Sequence, residues 1–207
     1  VLFGRKIMKL KINKNIDRTL PIWEGKIETD MTPFDFSTVN DEVWEEDYDG
    51  SFFLNSFPNE LQQLVKYFNN ENVIDNLLES ELGDAFFNTW PADAILDPEF
   101  LKAAIVCNTK IIRLDPGLEI LPGNDSRLVF GKFIVKLDNY LLSPPTLFVG
   151  NTDWPTTDIV YQPDIDFMGT SFHLNSDTFH TAYDNNTRRP AHLLVCTMKL
   201  DPLFLVK

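Results

Sequence analysis

Between residue 108 and residue 200 the chain is cut into short apolar runs by glycine, proline, asparagine and aspartate. The runs are TKIIRLDPG (109–117), LEIL (118–121), RLVFGKFIVKL (127–137), TLFVG (146–150), DIVYQ (158–162), TSFHLN (170–175) and AHLLVCTMKL (191–200). Each is bounded by turn formers and is too short for a typical helix, and several alternate in polarity, so each reads as a strand. A strand this short cannot bury its apolar face alone. Many of them in series must stack as two sheets or close on themselves, which predicts a β-sandwich or barrel.

The front of the chain has a different period. Leu61, Leu64, Val65 and Phe68 recur at helical spacing behind Pro58 and Asn59. Val73, Ile74, Leu77 and Leu78 repeat the pattern up to Gly83, and DPEFLKAAIV (97–106) opens a third helix with Asp97 as cap and Pro98 in its first turn. MKLKINKNI (8–16) alternates like a strand. A length of 207 residues suits one domain with a sizeable core. The predicted fold is mainly β with flanking helices: an N-terminal strand and supporting helices over 1–105, packed on a β-barrel core over 106–207.

Charge and composition narrow the function. The net charge of −13 argues against a nucleic-acid partner, which would call for a basic patch. The one basic cluster, Arg5, Lys6, Lys9, Lys11, Lys14 and Arg18, reads as a solvated strand or arm, and the acids Asp41, Glu42, Glu45, Glu46, Asp47 and Asp49 read as a solvated loop. No apolar run approaches the roughly 20 residues that span a bilayer, and no signal peptide is evident; VLFGRKI is read in part as a remnant, with Met8 as a natural start. Cys107 and Cys196 lie in apolar strands, as buried thiols of a reducing compartment would, so a cytoplasmic protein is expected. The sequon at Asn185 is a weak pattern.

The three histidines, His173, His180 and His192, all fall near the C-terminus. His173 and His192 lie inside strand candidates and read as packed or hydrogen-bonded residues. His180 follows the turn after TSFHLN, with Asn185, Asn186, Arg188 and Arg189 downstream, a setting that suits a site.

GTSFHLNSDTFHTAYDNNTRRPAHLLV (169–195) resembles the second half of the catalytic core of Fe(II)/2-oxoglutarate-dependent oxygenases, in the aspartyl/asparaginyl β-hydroxylase and proline-hydroxylase-like branch. IIRLDPGLEILPGNDSR (111–127) resembles the first half, R-x-x-P-G-x-x-I-x-P-H-x-D-x-x-R. The likeness covers about half the chain and rests on pattern. It implies a double-stranded β-helix of the jelly-roll or cupin-like type, with Fe(II) as metal and 2-oxoglutarate as co-substrate. Ferrous iron in such a site takes two imidazoles and a carboxylate on one face, and the co-substrate carboxylate takes a fixed cation. By the resemblance Asp125 is the metal carboxylate and His180 the distal imidazole. Arg189 is the co-substrate cation, and Lys132, nine residues after Gly123, holds the other end of the co-substrate.

Two positions depart from the pattern. The first metal imidazole is replaced by Gly123, and an ungapped count from His180 puts Pro190 in the arginine slot, so Arg189 fits only with a one-residue shift or a bulge. Two functions follow. One is a hydroxylase acting on a small molecule, amino acid or peptide side chain, impaired by the missing imidazole. The other is a non-catalytic binding barrel, with Arg189, Lys132 and Arg127 around a carboxylate ligand. A cupin-like metal enzyme is weaker, because the first-half histidine pair of cupins is absent.

Overall fold

The computed structural model describes residues 8–15, 22–69, 71–79, 103–120, 129–138, 146–150, 159–161, 166–174 and 179–201. Their elements are β1 (Lys9–Asn15), β2 (Ile22–Glu28), β3 (Trp44–Glu46), β4 (Phe52–Leu54), α1 (Asn59–Phe68), α2 (Glu71–Leu78), β5 (Ile105–Leu114), β6 (Glu119–Ile120), β7 (Val129–Lys136), β8 (Thr146–Gly150), β9 (Ile159–Tyr161), β10 (Gly169–Leu174), β11 (Phe179–Asp184) and β12 (Ala191–Leu200). The described part is mainly β, and none of its helices is long and apolar enough to cross a membrane.

An eight-stranded sheet has the order β1-β2-β10-β7-β12-β5-β4-β3, and a four-stranded sheet the order β6-β11-β8-β9. From β5 onward the chain passes back and forth between them: β5 large, β6 small, β7 large, β8 and β9 small, β10 large, β11 small, β12 large. All the pairings are antiparallel. This is the jelly-roll winding foreseen from the strand pattern, in which each sheet covers the apolar face of the other.

The large sheet is covered on both faces. Strand alternation sends Ile111, Phe133, Val135, Phe172, Leu174, Leu194, Cys196 and Met198 outward, into one core with Leu61, Leu64, Val65 and Phe68 of α1 and Val73, Ile74 and Leu77 of α2. The Phe133 ring lies 4.5 Å from that of Phe172 and 5.8 Å from that of Phe68, tying strand, strand and helix together. Ile112, Leu114, Ile134, Ala191 and Leu193 point the other way and meet Leu118, Ile120 and Tyr183 at the small sheet.

The helical front is corrected in part. The N-terminal half also supplies four strands, β1 and β2 at one edge of the large sheet and β3 and β4 at the other. The third helix was expected to run through Val106, but Ile105 and Val106 already pair with Leu200 and Lys199 in β5; residues 97–102 lie outside the described residues. Local helix signals there yield to a long antiparallel partner, since β5 and β12 match along their whole length. β2 escaped notice because Gly25 interrupts its apolar face. A Cβ at Gly25 would run into the Lys11 carbonyl oxygen and come within 2.8 Å of Thr170 Oγ1, so the strand crossing needs glycine there.

Candidate functional site

Toward one end of the two-sheet core, the inner face of the large sheet turns polar. In β5 it changes from Ile112 to Lys110 and Asn108, in β7 from Ile134 to Lys132, and in β12 from Val195 to Thr197 and Lys199. Strand pairing lines these up. Thr197 stands opposite both Asn108 and Lys132, and Lys132 stands opposite His173, so Asn108, Thr197, Lys132 and His173 form one row across four strands. The row borders a cavity of about 400 Å³ between the sheets, lined by Asn108, Lys110, Lys132, Tyr183, Thr197 and Lys199.

The turn joining β3 and β4 forms the rim. Asp47, Tyr48 and Asp49 reach the cavity, and Asp47 Oδ2 accepts from Lys110 Nζ at 3.2 Å. The turn is tight: Gly50 has φ +83°, its N–H donates to the Asp47 carbonyl at 3.0 Å, and Asp49 Oδ1 accepts from both Ser51 N and Ser51 Oγ. The inner wall therefore carries three ammonium groups in a protein of net charge −13. Asp47 and Asp49 at the rim offset part of this charge, and three lysines against two aspartates leave the lining net positive, which favours small anions.

His173 closes the far side of the row. It is 3% exposed, and its Nδ1 lies 3.1 Å from Thr181 Oγ1 on β11, a polar link between the sheets. Burial, and then the charge of Lys132, push its pKa down to about 3, so the ring is neutral at physiological pH. Among the described residues no three His, Cys, Asp or Glu side chains are grouped to hold a metal.

The residues singled out in the sequence do not all gather here. Lys132 lines the cavity. Arg189 is exposed in the turn before β12 and lines a second cavity of about 520 Å³ on the outer face of the large sheet, beside Trp44, Arg113 and His192. Among the described residues, Lys132 and Arg189 line different cavities, one on each face of the large sheet. The turn that bears Arg189 is locked by Asn185, which is fully buried. Asn185 Nδ2 donates to the Leu114 and Arg189 carbonyls at 2.6 and 2.9 Å, and Oδ1 accepts from Thr187 N and Oγ1 at 3.1 and 2.7 Å. The sequon thus marks a structural turn.

His180 is the second residue of β11 and its backbone pairs with Val149. Gly123, Asp125 and Arg127 lie outside the described residues. Val129, the first residue of β7, stands opposite Lys199, and both line the cavity. His192 is packed, as expected, on the face shared with Leu194 and Cys196. Its ring stacks on Phe36 at 3.9 Å and 2°, with Nδ1 3.0 Å from Asp138 Oδ1. The partner Asp138 was not foreseen. Nor were Lys110 and Lys199, although each follows the alternation of its strand.

No family model matches the chain, and no curated protein matches it. Among solved structures it is similar to a prolyl-4-hydroxylase of Pseudomonas putida, at 8% identity and a TM-score of 0.49 over 77% of this chain and 79% of that one. It is also similar to an oxidoreductase of the 2OG-Fe(II) oxygenase family from Burkholderia pseudomallei, at 12% identity and 0.37 over 88% and 70%. The cupin domain of Schizosaccharomyces pombe Cnp3 follows at 9% and 0.33 over 97% and 91%. These likenesses are loose, and the chemistry of the cavity rests on its own residues.

Proposed function

We propose that the cavity between the sheets binds a small dicarboxylate of the 2-oxoglutarate class, and that the chain is an oxygenase-type barrel acting on a small-molecule, amino-acid or peptide side chain. The observation that carries this reading is the set of three lysines, Lys110, Lys132 and Lys199, on the inner wall of an acidic protein. Lys132 and Lys199 would each donate charge-assisted hydrogen bonds to a carboxylate. Asn108, Thr197 and Tyr183 line the same space and can fix its orientation. Neutral His173 adds no charge and keeps the sheets together through Thr181.

Iron fits this chain less well than the dicarboxylate does. The proposed ligands are Asp125 and His180, one carboxylate and one imidazole, and Gly123 supplies no donor where the oxygenase pattern has its first imidazole. A set short of one imidazole holds ferrous iron weakly, so no chemical step is derived through the metal. The missing donor also favours a second reading, a non-catalytic barrel that keeps the carboxylate pocket.

Calorimetric titration with 2-oxoglutarate, with and without Fe(II) under anaerobic conditions, tests the pocket. Removing one charged donor by Lys132→Ala or Lys199→Ala should weaken binding by about 1.5–3 kcal/mol, roughly tenfold or more. Wild-type protein that takes up no 2-oxoglutarate, or variants that bind it as well as wild type, would overturn the proposal. Succinate formation with Fe(II) and O2 separates the two readings: turnover supports the oxygenase, and binding without turnover the non-catalytic barrel.

A further inference from the structure

The outer face of the large sheet holds two thiols that the cavity does not use. Cys107 on β5 stands opposite Met198, and Cys196 on β12 stands opposite Thr109, so the cysteines are diagonal neighbours on adjacent antiparallel strands and share one face. Both are free thiols. Their surroundings differ. Cys196 is fully buried, with its Sγ 3.8 Å from the Phe68 carbonyl oxygen at the end of α1, while Cys107 is only partly buried and adjoins Val106, which is 49% exposed.

We propose that Cys107 and Cys196 are a reversible oxidation site for hydrogen peroxide, with Cys107 as the attacked thiol and Cys196 as the resolving one. The Cys107 sulfur, as thiolate, displaces hydroxide from the peroxide. The O–O bond breaks, the hydroxide takes up the proton released from Cys107 and leaves as water, and Cys107 becomes a sulfenic acid. The Cys196 sulfur then attacks the Cys107 sulfur. The S–O bond breaks, the departing hydroxyl takes the Cys196 proton and leaves as a second water, and a disulfide remains. Two thiols are oxidised and one peroxide is reduced.

The surroundings support this order. Only Cys107 can be reached from solvent. The hydrogen bond from Cys196 holds Cys107 below the ordinary thiol range, against its partial burial; on Cys196 that same contact, and then burial, push the thiol up. The reactive thiolate and the accessible sulfur are therefore the same group. Diagonal cross-strand neighbours lie about 7–8 Å apart, beyond the usual span of a disulfide, so closing the bond requires β5 and β12 to shift together and leaves a strained bond that is readily reduced. Closure also moves the Cys196 sulfur, which lies 3.8 Å from the Phe68 carbonyl oxygen. The same corner of α1 is held by Thr109 Oγ1 donating to Asn69 Oδ1 at 2.8 Å, so oxidation is transmitted to the end of that helix.

Peroxide treatment of the folded chain, followed by alkylation and peptide mapping, tests the proposal. The free-thiol count should fall from two to none, with one Cys107–Cys196 peptide that dithiothreitol restores, and amide exchange at the end of α1 should quicken. Cys196→Ser should stop at a Cys107 sulfenic acid caught by a cyclic-diketone trap; Cys107→Ser should give neither adduct nor disulfide. The mapping of wild type decides the matter even if a variant fails to fold. Thiols that survive peroxide, disulfides only between chains, or trapping at Cys196 instead of Cys107 would overturn it.

Discussion

Acid should destabilise the fold through one imidazole. In the unfolded chain His173 takes up a proton near its ordinary value of 6.5; in the folded chain, buried beside Lys132, it does so only near 3. Between these values the unfolded state binds the extra proton. Stability is therefore whole above the unfolded value, falls as pH drops through it, and reaches its full penalty below about 3. Going from about pH 7.5 to about pH 5 should cost about 2 kcal/mol from this group alone, at about 1.4 kcal/mol per pH unit below 6.5. The ring is 3% exposed, so solvent screens little of this. Other groups also titrate, so the assay is a comparison: urea unfolding of wild type and of His173→Asn at both pH values. An asparagine amide can still donate to Thr181 Oγ1 but does not titrate. The variant should be less stable than wild type at neutral pH, and the gap should close or reverse by about 2 kcal/mol at the lower pH. Parallel pH profiles would refute the assignment of a neutral, buried His173.

Gly131→Ala should destabilise by about 1–3 kcal/mol, because a Cβ there would collide with the Phe172 ring and come within 2.9 Å of the His173 carbonyl oxygen; thermal unfolding reads it. Asp138→Ala removes the acceptor of both the His192 backbone N–H at 2.6 Å and the ring Nδ1 at 3.0 Å. It should cost about 1–3 kcal/mol, measured by urea midpoint. Gly123→His should raise Fe(II) affinity in an anaerobic titration if Asp125 and His180 are ligands; a folded variant that binds no more iron than wild type would remove them from that role.

Much of the barrel was legible because its strands keep their alternation. β8 and β12 run over the same residues as the sequence segments TLFVG and AHLLVCTMKL, and the apolar stripe of α1 is the one that is buried. The edge strand β1 was legible in MKLKINKNI, but β3 and β4 at the other edge were not. β3 is three residues long and sits in the acidic run read as a solvated loop; Glu45 and Glu46 are indeed exposed, but Trp44 is buried under the sheet edge and Asp41–Val43 form a 3-10 turn. The polar row was half legible. Alternation places Thr197 and Lys199 on one face of β12, but only the register of β5, β7 and β12 brings Asn108, Thr197 and Lys132 side by side. Arg189 shows the opposite limit. The resemblance made it the co-substrate cation, one residue off the count from His180, and it lines the outer cavity; spacing across a turn does not say which face of a sheet a side chain reaches.

The most direct test of the carboxylate pocket is a crystal structure of the chain grown with 2-oxoglutarate under anaerobic conditions. The account predicts the ligand between the two sheets, with its carboxylate oxygens within hydrogen-bond distance of Lys132 and Lys199 and with Asn108, Thr197 and Tyr183 around it. A ligand bound instead in the outer cavity beside Arg189 and His192, or an inner cavity that stays empty at saturating 2-oxoglutarate, would contradict it.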